Sequence, residues 1–133
     1  MHFLDLIKST GYITVSKELA REIGLNESII LAELISQREY FKQNNHLKKG
    51  WFYCTVKKME KHTTLKRKNQ DKAINKLIRL NLIEKDNKGI PAKRHFKVKD
   101  SQIMKLFFTH KDKIPDEDCH NSVMEELYKK GYR

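Results

Sequence analysis

The sequence predicts a mainly helical α+β fold, with its strands confined to one small sheet and a helical extension at the C-terminus. Three observations predict it. Apolar residues return at helical spacing in four segments between positions 17 and 80. Short runs of strand-forming character stand at Trp51–Cys54, Leu82–Lys85 and Arg94–Val98, separated by glycine, asparagine, aspartate and proline. The length of 133 residues suits one ordinary domain plus an extension, with a boundary between 1–99 and 100–133.

In chain order, Tyr12–Val15 is β-branched and aromatic and reads as a short strand. Ser16 is a good N-cap for a helix over Lys17–Ile23, whose Leu19, Ala20 and Ile23 share one face. Gly24 ends it where a left-handed residue is favoured. Asn26 caps a second helix, with Glu27 in the first turn where the helix dipole favours a carboxylate. Ile29, Ile30, Leu31, Leu34, Ile35 and Phe41 give that helix a wide apolar arc and a central place in the core. Asn44–Gly50 is a polar loop, and the strand after it is expected to bury at least two of Trp51, Phe52 and Tyr53.

Thr55 caps a helix over Val56–His62 with Val56 and Met59 inward, and Thr63–Lys66 makes a turn. A long helix over Arg67–Leu80 then buries Ala73, Ile74, Leu77, Ile78 and Leu80, and Asn81 tolerates a left-handed end. Leu82–Lys85 is a strand, Asp86–Gly89 a turn and Ile90–Ala92 an extended stretch. Arg94–Val98 returns as a strand with Phe96 and Val98 inward. The extension reads as a short helix over 102–108, an acidic linker over 114–118 and a capped amphipathic helix over 121–130.

Composition excludes several classes of function. Cys54 and Cys119 are the only cysteines, too few for a disulfide framework and without partners at zinc-ligand spacing. Cys119-His120 beside Asp118 is half a metal site without a second cluster, and Asp116–Asp118 is an acidic run without a supporting motif. No cofactor or metal is expected. The chain carries no nucleophile elbow, phosphate-binding loop or paired catalytic carboxylates, so enzymatic activity is not expected either. The apolar N-terminus is broken by Asp5 and followed by Lys8, unlike a secretory leader, and no run approaches the ~20 apolar residues of a membrane span. The expectation is a cytoplasmic protein with reduced thiols and no membrane partner.

Charge is more informative. Lys and Arg number 28 against 17 Asp and Glu, a net charge of +11. Residues 66–79 hold six basic groups and one acid, and 85–99 hold six and one again. The first 47 residues carry five basic and six acidic groups, and 100–133 carry six and seven. A protein that merely stays soluble spreads its charge; an excess gathered in one third of the chain is the footprint of a polyanion partner. The order helix, helix, strand, helix, turn, helix, strand, turn, strand is that of a winged helix-turn-helix, which sets the basic helix and the basic hairpin on one side.

That arrangement names its candidates. With the apolar stripe inward, Lys66, Arg67, Lys68, Asn69, Lys72, Asn75 and Lys76 are left for a nucleic-acid groove. Arginine suits the O6/N7 edge of guanine, and asparagine suits adenine. Lys57, Lys58, Thr63 and Thr64, around the turn, are expected to hold phosphates. Lys88, Lys93 and Arg94, on the wing, are expected to touch the neighbouring backbone or minor groove. The expected partner is double-stranded DNA. Apolar residues of the extension, Ile103, Met104, Leu106, Phe107 and Phe108 among them, are expected either to fold back or to pair a homodimer.

The segment Tyr12–Lys97 resembles the winged-helix domain of replication proteins carried by phages and plasmids of Gram-positive bacteria, related in layout to DnaD-like replisome organisers. The stretches Glu18–Ile35, Gly50–Glu84 and Lys88–Val98 carry the resemblance, above all Thr63-Thr64-Leu65 paired with a wing running Gly89-Ile90-Pro91-Ala92-Lys93-Arg94-His95-Phe96. It implies binding at an origin-like or operator site, with replication or transcription proteins as further partners. Helix positions that the family often fills with serine and glutamate are basic here. The organisers usually carry a second helical domain, where this chain has a short tail. A transcriptional regulator using the same surface therefore stays open, as does a non-DNA interaction module.

Overall fold

Ser16 starts the first helix as its chemistry allows, its Oγ accepting from the Leu19 amide at 3.3 Å. In this computed structural model, which describes residues 2–5 and 11–109, the elements are α1 (Lys17–Ile23), α2 (Leu25–Gln43), β1 (Trp51–Tyr53), α3 (Val56–Thr63), α4 (Arg67–Arg79), β2 (Ile83–Lys88), β3 (Lys93–Val98) and α5 (Asp100–Thr109). The chain divides into two compact units, Met1–Lys99 and Asp100–Arg133. In the second, α5 is the described part; the expected linker over 114–118 and helix over 121–130 lie outside the described residues.

In the first unit the strands form one antiparallel sheet in the order β1-β3-β2, with Phe52 opposite Phe96 and Ile83 opposite Val98. The fold is α+β and winged-helix-like: a bundle of helices with a β-hairpin beside its last member. Central α2 packs against α1, α3, α4, β1 and β3. Ile30, Leu31 and Leu34 of α2 meet Met59 of α3, Ile74 and Leu77 of α4, and Phe52 and Phe96 of the sheet in one buried core. Each such side chain, fully withdrawn from water, contributes roughly 1.5–3 kcal/mol. Helix α4 closes as the sequence leads one to expect: Asn81 has φ 63°, its amide donates to Ile78 O and the Leu82 amide donates to Leu77 O. That pair of bonds is the Schellman end, sealed by the buried Leu77 and Leu82.

Several expectations are corrected. Tyr12–Val15 forms no strand; Tyr12 and Ile13 lie against α2 and α3, where no sheet edge offers a partner. The second helix starts one residue before Asn26, and Gly24 both ends α1 and caps α2. Ile78 and Leu80 are 38% and 42% exposed, because the stripe runs through Gln70, Ala73, Ile74 and Leu77 instead. The hairpin is longer than its turn signals imply: β2 runs through Asp86-Asn87-Lys88, and Gly89–Ala92, expected to be partly extended, makes the turn. Of the three consecutive rings only Phe52 is buried; Trp51 is half-buried and Tyr53 exposed.

Candidate nucleic-acid interface

Helix α4 is set up by the turn before it. Thr55 caps α3, its Oγ1 accepting from the Lys58 amide at 3.2 Å. At the other end Thr64 closes α3 in the left-handed region, φ 66°, and its amide donates to Glu60 O. Thr63 Oγ1 donates to Met59 O at 2.7 Å and accepts from the Leu65 amide at 3.2 Å. Thr63 is therefore buried in holding the turn, and the expectation that its hydroxyl grips a phosphate is corrected. Thr64 remains exposed beside the start of α4.

Position 70 lies on the stripe that α4 turns to the core, and its side chain does the most connecting. Gln70 Nε2 donates to Leu65 O at 2.8 Å and to Val56 O at 3.1 Å. Its Oε1 accepts from Arg94 Nη2 at 2.9 Å, while Arg94 Nε donates to Cys54 O at 3.2 Å. One buried pair thus ties the turn, the start of α3, the end of β1 and the wing strand β3 to α4. Arg94 is 9% exposed, so its assignment as an outward wing contact is corrected. The reason is strand alternation, which turns Arg94 inward with Phe96 and Val98. Burial pulls the Arg94 pKa below its ordinary value, opposed by the Cys54 thiolate that forms at high pH and by Asp71, whose Oδ1 stands 3.8 Å from Nη1. Burial likewise pushes the Cys54 thiol up to about 11, with Arg94 and Lys58 opposing, which leaves it protonated and a poor nucleophile at neutral pH.

The opposite side of α4 carries the charge. Helical spacing puts Lys68, Lys72, Asn75 and Arg79 diametrically away from the buried stripe, and all four are exposed. Asn69 and Lys76 flank them on one side, with Asn69 and Lys72 beside the Leu25–Glu27 turn of α2. Arg67 and Asp71 flank them on the wing side, their charged groups 3.9 Å apart. The start of α4 breaks two helix conventions: Lys66 occupies the N-cap with no side-chain hydrogen bond, and no acid stands in the first turn. Lys66, Arg67 and Lys68 are instead stacked at the positive end of the dipole, and the Lys66 and Arg67 side chains are 80% and 78% exposed.

A cleft of about 480 Å³ separates this helix from the wing, lined by Arg67, Asp71 and Asn75 on one wall and by Lys85, Asn87 and Lys93 on the other. Sequence reading misses Asn87 because Asp86–Gly89 reads as a turn, and Lys85 because it stands at the end of the expected strand. With β2 extended through Lys88, period two sets both on the face of Ile83, beside α4. Lys93 sits at the hairpin end, with its ammonium 4.5 Å from the centroid of the Tyr53 ring. Lys88 is its cross-strand partner and shares its face, with its ammonium over Trp51 at 4.6 Å. Lys57 is exposed at the start of α3, whereas Lys58 lies over the Tyr40 ring of α2 at 5.4 Å and is not brought to the cleft. Among the described residues no group of three or more His, Cys, Asp or Glu can hold a metal, and no helix is long and apolar enough to cross a membrane.

No protein-family model matches the sequence, and no curated protein matches it. Solved structures do share its fold. One is described as "N-Terminal domain of DNA binding protein", with a TM-score of 0.54 and 12% identity, covering 86% of this chain and 98% of that one. Another is described as "Structure of Rep-DNA complex", with a TM-score of 0.54 and 12% identity, covering 87% of this chain and 99% of that one. At that identity the likeness is one of fold.

Proposed function

We propose that the protein binds double-stranded DNA and acts in replication initiation at an origin-like site of a phage or plasmid. The observation that carries this reading is the uncapped, acid-free start of α4, whose cations and amides stay exposed beside a basic wing. A helix built for stability alone places carboxylates there; this one presents free amide N–H groups and three cations, the arrangement that receives a phosphate. The major groove, roughly 12 Å wide, admits such a helix. Lys68, Lys72 and Asn75 then face base edges, Arg67, Lys85 and Asn87 follow the groove wall, and Lys66 with the wing lysines meets the flanking backbone. The two fold neighbours support the reading, one by its description as part of a DNA-binding protein and the other as a Rep–DNA complex.

Gel-shift titration of fragments of the source element over a salt series tests it. About five or six neutralised phosphates give a slope of log affinity on log salt near −5. Asn75→Ala is expected to relax preference at one base pair by about 1–3 kcal/mol, and Lys66→Ala to weaken all sequences alike. A flat salt response removes DNA binding. Tightest binding to the fragment holding the origin supports replication, whereas tightest binding upstream of a transcription unit replaces it with regulation.

A further inference from the structure

The face of the sheet turned away from the core carries aromatic rings that duplex binding leaves unused. Alternation buries Phe52, Arg94, Phe96 and Val98, so Trp51, Tyr53, Lys93, His95 and Lys97 share the outer face. A cleft of about 710 Å³ opens beside β1, lined by Trp51, Tyr53 and His95 together with Lys48, Lys49 and Lys88. The ammonium groups of Lys88 and Lys93 rest on the Trp51 and Tyr53 rings. The carboxylates of the same face, Glu84 and Asp86, stand on the edge strand β2. Asp86 lies 3.8 Å from the Lys88 ammonium and offsets that one charge, leaving Lys48, Lys49 and Lys93 as the cations around the rings.

Open rings among lysines bind the faces of bases, and a duplex offers only edges. Trp51 and Tyr53 sit two residues apart on one strand, roughly 7 Å, twice the ~3.4 Å rise of bases in a duplex strand. An unpaired strand can stretch to that spacing. Lysines at the rim favour a polyanion over an apolar peptide.

We propose that this outer face, centred on Trp51 and Tyr53, binds a single-stranded nucleic acid by stacking its bases. Each base takes the place of an ammonium group on its ring, and the displaced lysine turns to the adjoining phosphate. The surface is separate from the start of α4, and the proposal does not rest on the duplex reading.

Trp51 is the single tryptophan of the chain, so its fluorescence reports this site alone. The full-length protein is titrated with an oligothymidine of about 8 nucleotides, within the usual site size. Saturable quenching is expected. Tyr53→Ala lowers the affinity about tenfold, the value of one stacked base, and Tyr53→Phe restores it. Should Tyr53→Ala fail to fold, Lys48→Glu with Lys49→Glu, on the exposed loop, is expected to weaken binding by a similar factor while leaving duplex gel shifts unchanged. Oligouridine in the same assay separates an RNA strand from a DNA strand, and quenching by either supports the proposal. Absence of quenching by both, equal quenching by duplex, or abolition of oligothymidine binding by Lys66→Ser with Lys68→Glu overturns it. Loss of duplex binding with quenching intact overturns the duplex reading alone.

Discussion

Arg94 must stay charged while its guanidinium is buried, and the residues around it are arranged for that. Two of its nitrogens donate to Gln70 Oε1 and Cys54 O, and the third faces Asp71 at 3.8 Å without a hydrogen bond. Truncation to alanine strands two buried acceptors and opens a gap between β3 and α4. Arg94→Ala is therefore expected to lower unfolding stability by about 3 kcal/mol. Arg94→Lys is expected to recover little of it, because one ammonium cannot serve both acceptors as the planar fork does. Urea unfolding midpoints check this; Arg94→Lys within about 0.5 kcal/mol of the parent chain sinks the structural role. The placement was legible in the sequence by position and obscured by residue type. Period two through Phe96 and Val98 points Arg94 inward, and helical spacing from Ala73 and Ile74 puts Gln70 on the buried stripe. Glu33 and Gln37 lie on the inner face of α2 by the same spacing, buried and joined by a 2.8 Å hydrogen bond. A reading that treats polar residues as surface residues misses all four.

Between elements, legibility depended on whether the signal was local. Ser16, Thr55 and Asn81 act within three or four residues of themselves, and each does what its chemistry allows. Tyr12–Val15 is not a strand because a strand needs an edge to join, and the sheet's edges are set by residues from β1 onward, far along the chain. Gly24 falls between these cases. A left-handed residue is the ordinary expectation after α1, and asparagine tolerates that conformation. The observed backbone has φ 106° and ψ 154°, a region open essentially to glycine alone, which lets one residue end α1 and begin α2. A Cβ there also meets the Glu27 carboxylate. Gly24→Ala and Gly24→Asn are both expected to cost about 1–3 kcal/mol in thermal or urea unfolding. A clear advantage of asparagine over alanine shows the backbone to be left-handed helical instead.

For the whole molecule, the net +11 is gathered so that its cost falls on one helix. Self-repulsion among clustered cations weakens the folded state, and cations at the start of α4 oppose its dipole as well. If that arrangement serves a polyanion, removing it stabilises the free protein and injures binding. Lys66→Ser supplies the missing cap, worth about 1 kcal/mol, and Lys68→Glu places an acid in the first turn, worth about 0.5 kcal/mol. The lost Lys66–Glu60 contact, 3.8 Å apart with the lysine side chain 80% exposed, offsets little of this. The double variant is expected to melt about 4–8 °C higher for each kcal/mol gained, to bind duplex at least tenfold more weakly, and to show a salt slope less negative by about 2. Salt also divides the two contributions. At about 1 M the Debye length falls to about 3 Å and the dipole and repulsion gains vanish, while the cap gain persists. A double variant that melts lower than the parent chain at low salt would mean that these lysines hold the fold together, and the charge of α4 would then need no nucleic acid to explain it.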